Sequence, residues 1–152
     1  MNLILKLLIF TLLLFGSPLW GDWKIQEENW YGITIDSAKS GWSNEVIEVD
    51  GDLIRTSKTQ EMTLSRGGIV ISIKILVEFI ETVGGIPISV KSTQEAMGQS
   101  SETVWVFKKD NIEMTSVAGG NPILKTIDLP DTEWLTPQGV RRLFVSKLTS
   151  EA

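Results

Sequence analysis

The sequence predicts an all-β fold with one C-terminal helix: a strongly curved antiparallel meander, or half-open barrel, of about eight strands. Three observations carry that expectation. First, Ile69 to Thr82 places Ile69, Ile71, Ile73, Ile75, Val77 and Phe79 at a spacing of two, the period of a strand with one buried face. Second, Gly-rich and Asp/Asn-rich turns punctuate the chain at short intervals, and short connections favour antiparallel neighbours. Third, the spacing of apolar residues becomes helical only after Pro130.

Taken in order, Asp22 to Asn29 reads as a polar lead-in, with Trp23 and Ile25 able to tuck against the body. Trp30 to Asp36 alternates enough to be a first strand. Ser37 to Gly41 reads as a turn, with Gly41 supplying the positive φ. Trp42 to Val49 is a second strand, in which Trp42, Asn44 and Val46 share a face. Asp50-Gly51 is the strongest short hairpin signal in the chain. A long Thr-rich strand runs from Asp52 to Ser65, partly facing solvent or a polar interior, and Arg66-Gly67-Gly68 turns it into Ile69–Thr82.

Val83-Gly84-Gly85 leads to a strand over Ile86 to Met97, where Pro87 is tolerated near the start. After a loop at Gly98–Ser101, strands over Glu102–Lys108, Ile112–Val117 and Ile123–Leu129 alternate with turns at Lys109–Asn111 and Ala118–Asn121. Thr136 followed by Pro137 is a preferred helix start. Val140, Leu143, Phe144 and Leu148 then mark one face of a helix over 137–148, expected to lie across the sheet or plug an open end. Two strands of about 14 residues would each span about 45 Å if straight, which is why strong curvature is expected. Fully buried, the six apolar residues of Ile69–Phe79 would contribute about 9–18 kcal/mol before entropy.

The first 21 residues have the order of a secretory signal peptide: Lys6, an apolar run from Leu7 to Phe15, then Gly16, Ser17, Pro18 and the small Gly21 as the cleavage residue. The run is shorter than the ~20 residues of a membrane span. Retained, it would be an N-terminal anchor and the chain's one route to a membrane. Residues 22–152 are then a single exported domain, periplasmic or extracellular. Setting Lys6 aside leaves 13 basic and 19 acidic residues, a net charge of −6. Without a basic cluster such a domain is a poor partner for nucleic acid.

The chain has no Cys and no His. That removes disulfides, thiol and imidazole catalysis and the common zinc sites, so no catalytic residue, metal or cofactor is expected. Asp50 and Asp52 flank a Gly but lack the ligand run of a calcium loop. Glu27 with Glu28, Glu45 with Glu48, and Asp131 with Glu133 are possible carboxylate pairs of the kind glycosidases use, but an acidic domain offers such pairs as solvated surface. Gly67-Gly68 and Gly119-Gly120 lack the spacing of phosphate loops. Trp23, Trp30, Trp42, Trp105 and Trp134 suit core filling or a ligand wall. The residues best placed to bind a ligand are Trp42 and Trp105, among polar neighbours, with Ile73, Ile75 and Phe79 on the long apolar face.

The runs WYGITIDSAKSGW, EVDGDLIRTSKTQEMTLSRGG, TVWVFKKDNIEMTSVAGG and KTIDLPDTEWLTPQGVRRLF together resemble the N-terminal extracytoplasmic region of bacterial transglutaminase-like proteins, over Trp30 to Phe144. The resemblance implies an accessory β-domain. That family's Cys-His-Asp core has no counterpart here, so no catalytic residue carries over. The expected function is a non-enzymatic accessory or interaction domain of the cell envelope, with an envelope protein as partner. The alternative is a carrier of an apolar ligand such as lipid on the concave sheet, an analogy to periplasmic half-barrel carriers at the level of fold.

Overall fold

The computed structural model describes residues 21–131 and 135–150. The leader expected over 1–21, apart from Gly21, lies outside them, as do Glu133 and Trp134. The strands are β1 (Lys24–Ile35), β2 (Ala38–Asp50), β3 (Leu53–Arg66), β4 (Ile69–Thr82), β5 (Pro87–Ala96), β6 (Gln99–Phe107), β7 (Asn111–Ala118) and β8 (Asn121–Asp128), followed by helix α1 (Pro137–Ser150). They form one antiparallel sheet in the order β1-β2-β3-β4-β5-β6-β7-β8. The sheet is a curved meander that does not close, and β1 and β8 are its edges.

The hairpins β1–β2, β3–β4, β5–β6 and β7–β8 share one rim. Each turns through two residues with positive φ: Asp36-Ser37, Gly67-Gly68, Met97-Gly98 and Gly119-Gly120. That is the pattern of type I′ turns, whose twist matches the flanking strands. The first of these corrects the expected Ser37–Gly41 turn. Asp36 and Ser37 adopt the left-handed conformation (φ 49° and 65°), and β2 already begins at Ala38. At Asp50-Gly51 the hairpin is displaced by one residue: Asp50 pairs with Leu53, and the turn residues are Gly51 and Asp52.

Gly41 is not a turn residue. It sits inside β2, where an added Cβ would fall on the carbonyl oxygen of Glu61 and within 2.8 Å of the Met62 Cα. Next to it the β1–β2 ladder shifts register, with Ile33 paired to Gly41 but Thr34 to Lys39, so Ser40 is an extra residue on β2. The β2–β3 ladder stops at Gly41–Met62. A bulge beside a glycine is a local device for bending a sheet. Here it lets the β1–β2 tip part from β3.

Pairing register assigns the faces, since cross-strand partners point the same way. The inner face carries the odd-numbered residues of β4 together with Ile47, Ile54, Thr56, Met62, Leu64, Val90, Trp105, Phe107, Ile112 and Met114. The residues buried most deeply among β1–β8, namely Ser43, Ile47, Thr56 and Glu81, all lie on it. The outer face is laced by polar and aromatic pairs. Arg55 donates to both oxygens of Glu48 (2.7 and 2.9 Å) and stacks over Trp23, 4.4 Å from the ring centre. Trp30 lies 5.2 Å from Trp42, and Glu28 accepts from both Trp30 Nε1 and Asn44 Nδ2.

The helix starts as expected. The Thr136 hydroxyl accepts from the Gly139 N–H (3.1 Å), and Val140 N–H donates to the Thr136 carbonyl. It runs two residues beyond the expected end at Leu148. Its first turns close the rim opposite the tight hairpins. Gln138 donates to Thr56 (3.3 Å), Arg141 pairs with Glu27 (2.6 Å), and Arg142 donates to the Val83 carbonyl (3.1 Å).

These contacts are polar, and they turn the helix the opposite way from the expectation. Gln138, Arg141 and Arg142 face the sheet, so Val140, Leu143 and Phe144 face away, 39%, 43% and 64% exposed. Val145 shares the sheet-facing side yet is 54% exposed, so the helix has cleared the sheet by its third turn.

Candidate functional site

The expectation that the Ile69–Phe79 face is a buried core is corrected by its surroundings. Ile69 is 62% exposed, and Ile71, Ile73, Ile75, Val77 and Phe79 are half-buried. The helix stays at its rim and does not cover them. The inner face is zoned rather than uniformly apolar. Toward the helix rim, one cross-strand row reads Ile47, Thr56, Phe79, Val90, Trp105, Met114. Phe107 stands 6.4 Å from Phe79 on the same face. The middle rows are polar on both sides of β4: Gln60 and Gln94 flank Ile75, and Lys58 and Ser92 flank Val77. Thr103 and Ser116 share a 2.9 Å hydrogen bond in that belt. The β4 stripe is therefore a continuous apolar track across a polar-flanked surface.

At the tight-hairpin rim the track enters a groove of about 1040 Å³. Its walls include Ile35 and Lys39 from the β1–β2 tip, Thr63 and Leu64 from β3, and Ile69 and Ile71 from β4. The groove exists because β2 leaves β3 at Gly41. Beyond that pair, Thr63–Arg66 has no partner on the β2 side. Similarly, β4 pairs with β5 only as far as Ile73–Ala96, so the β3–β4 tip projects between its neighbours. A second groove of about 560 Å³ fills that gap, with Val70, Lys74, Glu95 and Met97 among its lining residues.

Of the residues singled out in the sequence, Ile73, Ile75 and Phe79 lie on the inner face, and Trp105 joins them two strands away from Phe79. Trp42 does not. Its partner Glu61 places it on the outer face with Trp30. Asn44 and Val46 do share that face with it, as the alternation predicts. Sequence reasoning missed Ile35 and Leu64 as groove residues. Leu64 is the last apolar residue of the Thr-rich strand, but its face follows only from a register set by the Gly67-Gly68 turn.

One charged group is enclosed. Glu81, on the inner face at the helix rim, is 1% exposed, and neither carboxylate oxygen has a hydrogen-bond partner of good geometry. Burial pushes its carboxyl above the usual range, opposed by the nearby Thr136 hydroxyl, the Arg142 guanidinium and the Gln138 N–H. Glu27 is held below the usual range by the Asn29 side-chain amide first and Arg141 second. No three acidic side chains among the described residues are grouped to hold a metal ion. The site offers an apolar track, a hydroxyl and amide belt, and one enclosed carboxyl.

No protein-family model, curated protein or solved structure matches the chain.

Proposed function

We propose that this chain is a non-enzymatic, exported binding module that takes an elongated apolar ligand, such as a lipid acyl chain, along the β4 stripe. The observation that carries the reading is the uncovered track from Ile69 to Phe79, which the helix leaves open. At about 3.3 Å per residue it runs for about 33 Å, and it begins in a groove of a size that holds small ligands. The lack of Cys and His supports a binding rather than a catalytic role.

A second reading, an accessory domain for an envelope protein, is favoured by the outward apolar side of α1, and its resemblance to transglutaminase-like N-terminal regions points the same way. The deciding experiment is native mass spectrometry of protein purified from its own host, paired with titration of a long-chain fluorescent fatty acid. Under the ligand reading a lipid mass accompanies the chain, and Ile75→Asp weakens probe binding at least tenfold. The bare polypeptide mass together with no saturable probe binding would overturn it. A co-purifying envelope protein in place of lipid would favour the second reading.

A further inference from the structure

We infer that α1 is an interfacial membrane element, which lays its outward apolar side into the surface of a phospholipid bilayer. The inference does not depend on what the inner sheet face binds. It starts from the inverted helix. A helix over a sheet ordinarily buries its apolar stripe, but Thr56 and Glu27 of the inner face and the Val83 carbonyl of the β4–β5 turn hold the polar side of α1. That leaves Val140, Leu143 and Phe144 directed outward, while Leu148, beyond the point where the helix has cleared the sheet, is 71% exposed.

The same rim carries further exposed apolar side chains: Ile25 at the start of β1, Val83 and Ile86 in the β4–β5 loop, and Leu135 before the helix, each 48–66% exposed. They are spread along the foot of the sheet, from the β1 edge to the β4–β5 loop and the start of α1. At 14 residues, with Lys147 in its last turn, α1 suits the interface plane rather than a span. No helix among the described residues is long and apolar enough to cross a membrane.

In the chain that keeps its N-terminal segment as an anchor rather than losing it at Gly21, the occupant follows from where that segment attaches. The N-terminal stretch with its apolar run Leu7–Phe15 reaches the domain at Gly21, packed against Asp50 and Trp23. Asp50 closes β2 at the helix rim. Any membrane that holds the N-terminal segment therefore lies at the rim from which α1 projects. Acidic and basic side chains both occur there, among them Asp22, Asp52, Lys24 and Lys108, so apolar insertion rather than charge drives the contact.

The chain lacks Cys, so a single introduced thiol can be labelled uniquely. Full-length Phe144→Cys, Leu148→Cys and, on the opposite rim, Met97→Cys would carry an environment-sensitive fluorophore in phosphatidylcholine vesicles containing spin-labelled lipid. All three positions are at least 64% exposed, so labelling leaves the fold intact, which thermal melts verify. Labels at 144 and 148 are expected to be quenched at least threefold more than at 97, with little change between low and high salt. Phe144→Glu should reduce quenching at 148 to the level seen at 97 without lowering the melting temperature. Quenching at 144 no greater than at 97 would overturn the inference, whether both are weak or both strong.

Discussion

Replacing Gly41 by Ala tests the local geometry that opens the groove. The new methyl group would fall on the Glu61 carbonyl oxygen and come within 2.8 Å of the Met62 Cα and 3.0 Å of the Glu61 carbonyl carbon. All three atoms are backbone in the adjacent strand, so no rotamer change relieves the clash. Overpacking against movable side chains costs about 1–3 kcal/mol. Against a paired strand the upper end applies, about 3 kcal/mol. For a domain of this size each kcal/mol is worth about 4 °C in melting temperature, so the loss should be about 12 °C. Gly32 supplies the control from the strand beside it. A Cβ there meets nothing within 4 Å, and its φ is not in the left-handed region. Glycine inside a strand is less stable than alanine by about 0.5–1 kcal/mol, so Gly32→Ala should raise the melting temperature by about 2–4 °C. Thermal denaturation followed by circular dichroism reads both. A Gly41→Ala melt within about 3 °C of the parent would refute the close approach, as would equal losses at the two positions.

Other expectations follow from the inner face and the helix. Because the folded-state pKa of Glu81 is raised above its unfolded value, the native protein holds the extra proton and stability falls as pH rises through the folded pKa. Glu81→Gln should therefore melt higher than the parent at pH 7.5, with the gap closing as pH falls toward 4.5; a constant gap across that range would count against an enclosed ionised carboxylate. Ile73→Lys, which would unfold the domain if that face were core, should leave it folded, because Ile73 is half-exposed and a lysine can extend its ammonium into solvent; loss of the folded near-ultraviolet signal would restore the core reading. Thr136→Ala removes the cap that accepts the Gly139 N–H and should cost about 1 kcal/mol, read as increased amide exchange in the first turn of α1.

Much of the fold was legible in the residues themselves. The bounds of β4 coincide with the period-two run, and the Gly67-Gly68, Gly84-Gly85 and Gly119-Gly120 turns lie where Gly-Gly interrupts an alternating stretch; the expected Gly98–Ser101 loop is instead the two-residue turn Met97-Gly98, with Gln99–Ser101 already in β6. The first turn was not legible, because Asp36 and Ser37 adopt positive φ without a glycine, while Gly41 a few residues on drew the assignment. Whether Trp42 shared a face with the Ile stripe depended on ladder register across two connections, β2–β3 and β3–β4, which the local alternation around Trp42 does not carry. The helix was read correctly in its start and cap, ended two residues short, and was turned the wrong way. Its apolar spacing predicts an inward stripe, whereas Glu27 and Thr56, widely separated in sequence, together hold its polar side.

The meander has a consequence for how the molecule is made. Each strand pairs only with the strand before and after it in the chain, so every ladder closes a short loop and no distant segments must meet before the sheet can grow. Long-range pairing is what ordinarily slows β-rich chains. This sheet can instead assemble by accretion, one hairpin templating the next as a nascent chain emerges. Growth of that kind has no built-in terminus, because nothing in the strand order returns to meet β1. Limited extension or loss at the β8 end should alter the length of the sheet while preserving its character, much as a repeat array gains or loses a unit.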